Sequence, residues 1–183
     1  MRRLLLLRHA KTEKDGPTGK DRDRRLDDRG RSDAAEMGAY LADQDLLPDH
    51  VFVSTAVRAR QTWDELSAVW PKKASKIAVD HLDELYIADP GGLLGIIQAA
   101  AGDDPKRLMV IAHNPSLHEL ALALIAGGSA RGRQALQDNL PTSGLAVIDF
   151  AFDDWGDVSF RGGRLERFVS PRLLKETSGR DEE

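Results

Sequence analysis

Short apolar runs alternate with stretches of helical spacing along most of the chain. The two clearest runs, LLLL at residues 4–7 and LMVIA at residues 108–112, suit strands that are buried on both faces of a sheet. Weaker runs of the same kind lie at residues 51–53 and 77–79. Between the runs, apolar side chains recur every three or four residues, which predicts helices. These predicted helices lie at residues 30–42, 56–69, 91–101 and 115–126.

Strands that alternate with helices are typical of an α/β fold. Residues 145–150 and 158–168 change the pattern, because they indicate two strands around an Asp-rich turn and so a C-terminal hairpin at the sheet edge. We therefore expect a single domain over residues 1–174, built as a three-layer open, mostly parallel sheet with helices on both faces. The polar residues 175–183 are expected to form a frayed tail.

Composition narrows the range of functions. With 183 residues, 41% of them hydrophobic and 31% charged, the chain has the make-up of one globular domain. Its net charge of -4 opposes a general attraction to nucleic acid or to an anionic membrane. The leucine run near the start is too short for a signal peptide or a membrane span. There is no cysteine, which excludes disulfides, thiolate zinc sites and thiol nucleophiles and favours a cytoplasmic location.

Cationic and imidazole side chains follow the predicted strands at the point where each strand ends. Arg8 and His9 come directly after the first strand, and His113 follows the second of the two clearest strands. Arg58 lies just beyond another strand, at the start of a predicted helix. Because ligands of open α/β sheets bind at the carboxyl ends of the strands, we expect these four side chains to converge. The long charged loop at residues 11–29 is expected to border the same edge.

Two arginines and two histidines in one crevice suit a phosphoryl group. The planar guanidinium fork matches phosphoryl oxygens, and the start of the helix after His113 adds backbone N–H donors. One of the two histidines can act as a nucleophile, since neutral imidazole attacks phosphorus and nearby guanidinium groups disfavour its protonation. The arginines can stabilise a loose phosphoryl-transfer transition state, so neither a metal nor another cofactor is required.

Three segments resemble the signature segments of the histidine phosphatase superfamily, the phosphoglycerate-mutase-like proteins. They are LRHA at residues 7–10, STAVRARQT at residues 54–62 and AHNP at residues 112–115. Ala10 is a departure, since many members of the family have glycine there. The resemblance implies that His9 is the nucleophile and forms a phosphohistidine intermediate. It also implies that Arg8, Arg58 and His113 hold the phosphoryl oxygens.

Within the superfamily the chain is similar to the small phosphohistidine phosphatase branch. The features that carry this likeness are the short chain, RRLDDRG at residues 24–30 and PTSG at residues 141–144. The resemblance implies a further phosphate-binding arginine at Arg24, with Arg22 and Arg25 as alternatives. It places the other substrate-binding residues at Asn114, Thr142 and Ser143.

A general acid is needed much more for the departure of an alkoxide than for the departure of an imidazole. Glu84 lies where superfamily members with a general acid often carry one, and Asp83 is its less favoured neighbour. A carboxylate at this position is equally well explained as a charge at the start of a helix. Both interpretations of Glu84 stay open.

The chain between residues 69 and 108 is too short for a large lid, which predicts an open site suited to a phosphorylated side chain of another protein. We therefore expect a metal-independent phosphatase that acts on protein phosphohistidine. The alternatives are a phosphomonoesterase or mutase of the same fold for a small phosphomonoester, and a non-catalytic phosphate-binding regulatory module. A zinc hydrolase is disfavoured, because neither His9 nor His113 has short-range ligand spacing with another histidine.

Overall fold

The computed structural model describes residues 1–179 and contains one seven-stranded sheet with helices on both faces. The strands are β1 (Arg2–Arg8), β2 (His50–Ser54), β3 (Ala78–Leu82), β4 (Arg107–Ala112), β5 (Ile125–Gly128), β6 (Leu145–Phe150) and β7 (Gly163–Val169). The helices are α1 (Asp28–Asp43), α2 (Val57–Ser67), α3 (Pro71–Ala74), α4 (Glu84–Ile87), α5 (Pro90–Gln98), α6 (Ser116–Leu124), α7 (Ala130–Asp138) and α8 (Pro171–Ser178). The predicted α/β class is confirmed.

The strand order is β3-β2-β4-β1-β6-β7-β5, which places β1 between β4 and β6. β1 to β4 run parallel to one another, whereas β6 is antiparallel to β1. The leucines of β1 are completely buried and point alternately to the two faces. Leu4 and Leu6 pack in the core cluster that contains residues of α5 and α6, and Leu5 and Leu7 pack with residues of α1 and α2. Burial on both faces explains why this strand is an unbroken aliphatic run.

The predicted C-terminal hairpin is present as the antiparallel pair of β6 and β7, but the short β5 lies outside it and forms the edge of the sheet. β5 follows α6 directly, where the apolar spacing predicts that the helix continues. It has four residues, IAGG, which is too short a run for a strand to be recognised. Gly128 has a φ of 113°, and a Cβ there would lie 2.1 Å from the carbonyl oxygen of Leu165. Only glycine permits this approach of β5 to β7.

Two further segments differ from the expected pattern. The second strand of the hairpin begins at Gly163, because Trp155–Asp157 forms a 3-10 turn and the strand predicted from residue 158 starts later. The tail expected at residues 175–183 begins inside α8, which Ser170 caps by accepting a hydrogen bond from the N–H of Leu173. Residues 180–183 lie outside the described part of the chain. Within residues 1–179, no helix is both long and apolar enough to cross a membrane.

Candidate active site

His9 and His113 lie side by side at the carboxyl ends of two neighbouring strands. β1 and β4 are parallel and Arg8 is paired with Ala112, so the next residue of each strand leaves the sheet at the same edge. The centroids of the two imidazole rings are 5.2 Å apart, and His9 is only 7% exposed. The carboxyl edge of the sheet therefore brings together the two histidines that the sequence places at strand ends.

Hydrogen bonding fixes the tautomer of His9. Its Nδ1 lies 2.8 Å from the carbonyl oxygen of Ala10, and because a carbonyl only accepts, Nδ1 carries the proton. Burial lowers the pKa of His9 to about 3 against the effect of the Ala10 carbonyl, and His113, Arg58 and Arg8 act in the same direction as burial. The ring is therefore neutral at physiological pH, and its Nε2 keeps a lone pair that can attack phosphorus.

His113 is held by Ser54, the last residue of β2. Nε2 of His113 and Oγ of Ser54 are hydrogen-bonded at 2.7 Å, and Ser54 is completely buried. The ring of Tyr86 packs edge-on against His113, with 5.6 Å between the centroids. Burial and Arg58 lower the pKa of His113 to about 4, although Asp21 acts in the opposite direction. Both histidines are thus neutral, and the positive charge of the site comes from arginines.

Arg8 and Arg58 supply that charge. Nη1 of Arg8 donates a hydrogen bond to the carbonyl oxygen of Leu140 at 3.2 Å. Burial, and then the charge of Arg58, lowers the pKa of Arg8. Arg58 lies in the first turn of α2 and is only 6% exposed. Two guanidinium groups held close together away from water repel each other, so an anion that contacts both is strongly favoured.

Four buried side-chain atoms around His9 have no hydrogen-bond partner within the described part of the chain. They are Nε of Arg8, Nδ1 of His113, Oδ1 of Asn114 and Oγ of Ser143. Their residues are linked, since the N–H of Ser143 donates to the carbonyl oxygens of Arg8 and His9, and Asn114 donates to the carbonyl of Leu140 that Arg8 also contacts. Buried polar groups are nearly always hydrogen-bonded, so this cluster has capacity for a polar ligand.

The charged loop that follows β1 is tied to the other side of the site. It contains a 3-10 turn at Asp21–Asp23, and its residues Thr12 and Leu26 form an isolated β-bridge. Arg22 in this turn donates to the Thr55 hydroxyl and to the Asp83 carboxylate. Hydrogen bonds from Thr55 and Arg22 lower the pKa of Asp83. The loop is therefore ordered by polar contacts across the mouth of the site.

Of the three candidate arginines in this loop, Arg24 is the one linked to Arg58. Its Nη1 lies 3.1 Å from Oδ1 of Asp21, whose other carboxylate oxygen contacts Arg58. Arg25 points instead to the carboxylate of Glu13, with its Nε 3.1 Å from Oε2. Arg22 lies at the rim with Thr55 and Asp83.

Two predicted site residues lie apart from this cluster. Glu84 is exposed at the start of α4 and lines a hollow with Phe52 and Leu82; within residues 1–179 its side chain makes no hydrogen bond to the residues around His9. Thr142 is half-buried and faces a different hollow, which also contains Ser170. Its neighbour Ser143 is the residue of that loop whose side chain is buried beside the histidines.

Three residues of the site were not predicted in these roles. Ser54 is the first residue of the STAVRARQT segment, but its contact with His113 depends on the adjacency of β2 and β4, which the segment does not reveal. Asp21 and Tyr86 are separated by 65 residues and meet through a 2.7 Å hydrogen bond. The only local signal was the Asp-rich, charged character of the loop, which does not say which carboxylate turns inward.

One group within residues 1–179 has the spacing of metal ligands. His50, Asp80 and Asp103 place one ligand atom each within 4.8 Å of one another. His50 is the first residue of β2, whereas Ser54 is the last, so this group lies at the opposite end of the strand from the histidine pair. Exposed carboxylates often cluster without an ion, and Nε2 of His50 is hydrogen-bonded to Asp80. His9 and His113 belong to no such group in the described chain.

Comparison with known proteins places the chain in a family. Residues 4–116 match the model of the histidine phosphatase superfamily (branch 1). An uncharacterized protein of Mycobacterium tuberculosis is 34% identical over 169 residues, which is 91% of this chain and 100% of that protein. A solved structure from Agrobacterium tumefaciens, provisionally named phosphohistidine phosphatase SixA, is 32% identical with a TM-score of 0.76 and covers 93% of this chain and 98% of its own. The structure of the protein histidine phosphatase SixA complexed with tungstate shares the fold, with 22% identity, a TM-score of 0.71, and coverage of 94% of this chain and 99% of its own.

The chain belongs to the histidine phosphatase superfamily. Its enzyme class is that of a phosphatase, as the matched family and the similar solved structures indicate.

Proposed function

We propose that this phosphatase works without a metal, through a phosphohistidine intermediate on Nε2 of His9, and that it hydrolyses phosphohistidine on another protein. The observation that carries the proposal is the state of His9. Its Nδ1 proton is donated to the Ala10 carbonyl and its pKa is about 3, so Nε2 is an unprotonated nucleophile over the whole physiological range. Neither His9 nor His113 belongs to a group with metal-ligand spacing in residues 1–179.

The reaction has two displacement steps. Nε2 of His9 attacks phosphorus, the new N–P bond forms, and the bond from phosphorus to the leaving group breaks. The leaving imidazole retains the electron pair of that bond and takes a proton from solvent. Water then attacks the phosphoryl group on His9, which releases orthophosphate and restores the free imidazole.

Four side chains of the cluster are proposed to hold the phosphoryl oxygens. Arg8 and Arg58 provide guanidinium donors, and His113 and Ser143 contribute buried atoms that have no hydrogen-bond partner within residues 1–179. The Oδ1 of Asn114 only accepts hydrogen bonds, so it is proposed to bind the attacking water or a donor group of the substrate, and Arg24 adds charge from the loop. Because the charge of the transition state spreads over the phosphoryl oxygens, fixed donors of this kind lower the barrier without a metal. Thr142, next to Ser143, is proposed to contact the substrate outside this cluster.

A protein phosphohistidine suits the mouth of the site. The rim carboxylates Asp21 and Asp83 have 53% and 76% of their side chains exposed, so the site opens to solvent. The similar Agrobacterium protein is provisionally named for the same activity. The departure of imidazole makes little demand for a general acid, which agrees with the position of Glu84 away from His9. The lack of cysteine favours work in the reducing cytoplasm.

The proposal is tested by measuring phosphate release from an aryl phosphate and from a phosphohistidine-bearing protein, side by side in EDTA. The wild-type chain is compared with His9→Ala and Glu84→Gln. We expect His9→Ala to lower both activities by about a thousandfold or more. Glu84→Gln should leave hydrolysis of the phosphohistidine protein within about twofold of the wild type.

Each other outcome selects a different function. If His9→Ala retains its activity, His9 is not the nucleophile. If only the aryl phosphate turns over and Glu84→Gln reduces that activity, the protein is a small-molecule phosphomonoesterase with Glu84 as its acid. Phosphate binding without turnover in the wild type would identify a regulatory module.

A further inference from the structure

Asp21 makes contact with three functional side chains from different parts of the chain. Its Oδ2 accepts hydrogen bonds from Nη2 of Arg58 at 3.0 Å and from the hydroxyl of Tyr86 at 2.7 Å. Its main-chain carbonyl accepts from Nη1 of Arg58 at 2.8 Å, and its Oδ1 accepts from Arg24 at 3.1 Å. One residue of the loop therefore holds both terminal nitrogens of Arg58.

The arrangement fixes the plane of the Arg58 guanidinium. A guanidinium has five N–H donors, of which Asp21 takes one on each terminal nitrogen. Within residues 1–179 these two are the hydrogen bonds that the Arg58 side chain donates, so donors remain for the phosphoryl oxygens. One hydrogen bond on each terminal nitrogen restrains the rotation of the guanidinium, and Tyr86 and Arg24 hold the carboxylate of Asp21 in turn.

The carboxylate of Asp21 is ionised throughout the physiological pH range. The hydrogen bond from Tyr86 and the charge and hydrogen bond of Arg58 lower the pKa of Asp21 to about 2. The partners of the neighbouring residue Asp23 are different, since its carboxylate accepts a hydrogen bond from Thr18 in the same loop. Asp21 and Asp23 are therefore two aspartates of one 3-10 turn, of which Asp21 contacts Arg58 and Asp23 contacts Thr18.

We propose that Asp21 is a positioning residue that orients Arg58 for the phosphoryl transition state, and that the hydroxyl of Tyr86 acts on Arg58 through Asp21. The ring of Tyr86 also contacts Arg58 directly, with the guanidinium carbon 5.7 Å from the ring centroid. The inference depends on the proposed phosphatase function of His9. It predicts a distinctive kinetic effect. A negative charge beside the site does not attract phosphate, so loss of that charge leaves ground-state binding intact or tightens it, whereas loss of orientation slows the transfer step.

The test compares the wild type with Asp21→Asn, Asp23→Asn, Tyr86→Phe and the double variant of Asp21→Asn with Tyr86→Phe. For each we would measure kcat and KM on an aryl phosphate, the inhibition constant of orthophosphate, and the melting temperature. We expect Asp21→Asn to lower kcat by about tenfold with KM no higher than in the wild type. Asp23→Asn should stay within about twofold of the wild type in both constants, as a matched loss of charge in the same turn.

Tyr86→Phe removes only the hydroxyl and keeps the ring against His113. As a single substitution, Tyr86→Phe should lower kcat by about threefold. Added to Asp21→Asn, it should lower kcat no further, because the hydroxyl of Tyr86 acts through Asp21. A multiplicative loss in the double variant would overturn the role of Tyr86.

The role of Asp21 would be overturned by any of three results. An unchanged kcat in Asp21→Asn would show that Arg58 needs no support. A raised kcat with much tighter orthophosphate inhibition would show that Asp21 competes with the substrate. Equal losses in Asp21→Asn and Asp23→Asn would indicate general damage to the turn. A wild type that is inactive, or whose activity survives His9→Ala, would refute the proposed function instead.

Discussion

The rings of His9 and His113 are 5.2 Å apart because Arg8 and Ala112 are register partners in adjacent parallel strands. Each histidine is the first residue after its strand, so the hydrogen-bond ladder between β1 and β4 sets the distance between them. Rigid strands hold such a pair more precisely than loops do, which suits a nucleophile and a neighbouring phosphate ligand. A shift of register would move His113 along the sheet edge relative to His9 and so separate the two rings.

The first prediction concerns the protonation of the two histidines. Because the pKa of His9 is about 3 and that of His113 about 4, both rings should remain neutral when the pH falls from 8 to 5. An ordinary histidine, with a pKa near 6.5, would become almost fully protonated over this range. NMR titration of the ring nitrogens, with His9→Gln and His113→Gln for assignment, checks this. Titration of either ring near pH 6.5 would contradict it.

The same lowered pKa values predict an effect on stability. Between pH 6.5 and 4 the unfolded chain binds protons that the folded histidines do not, so the free energy of unfolding falls as the pH falls. The slope is at most about 1.4 kcal/mol per pH unit for each histidine. Urea unfolding at several pH values measures it. His9→Gln should reduce the slope relative to the wild type, and an identical slope in both proteins would disprove the contribution of His9.

The next prediction distinguishes Arg24 from Arg25 in the loop. Arg24 contacts Asp21 beside Arg58, whereas Arg25 forms an exposed ion pair with Glu13. We expect Arg24→Ala to lower kcat/KM by about tenfold, because it removes a cation near the phosphoryl group. Arg25→Ala should change kcat/KM by no more than about twofold, as is usual for an exposed pair. Steady-state kinetics on an aryl phosphate decides the assignment, and a larger loss in Arg25→Ala than in Arg24→Ala would reverse it.

Ser54→Ala tests the support of His113. The substitution removes the hydroxyl that is hydrogen-bonded to Nε2 in a completely buried position. We expect a loss of about 1–3 kcal/mol in the free energy of unfolding, because a buried nitrogen loses its partner. We also expect kcat to fall by about tenfold as the ring becomes free to rotate. Ser67→Ala, at the exposed end of α2, is the control and should change neither quantity. A wild-type kcat in Ser54→Ala would exclude an orienting role.

Gly30 is predicted to be required for the packing of the loop against α1. A Cβ at Gly30 would lie 2.0 Å from the carbonyl oxygen of Lys11, which is a backbone atom that cannot move aside easily. We expect Gly30→Ala to destabilise the fold by more than about 2 kcal/mol. Gly95→Ala in α5 is the matched control, since a Cβ there meets no atom within 4 Å. It should stabilise the protein by about 0.5–1 kcal/mol. Chemical denaturation of both variants measures the contrast, and equal effects would refute the close approach.

Local pattern alone was sufficient for the centre of the molecule. Residues 4–7 and 108–112 are predicted as buried strands from unbroken aliphatic runs, and the structure places them in β1 and β4. His9 and His113 follow from this directly, because the end of a strand is visible in the sequence. By contrast, β5 and α7 were not predicted. β5 is a four-residue glycine-rich strand, and its pairing with β7 is a contact between distant segments.

The sequence by itself determined the α/β class, the strand ends that carry Arg8, His9 and His113, and the charged character of the loop after β1. Only the tertiary structure decided which loop carboxylate reaches Arg58, that Tyr86 secures it, and that Ser54 holds His113. The physical reason is one of range. Strand and helix periodicity depends on neighbours a few residues apart, whereas these contacts join residues 37, 65 and 59 positions apart, respectively, and exist only once the sheet has brought them together.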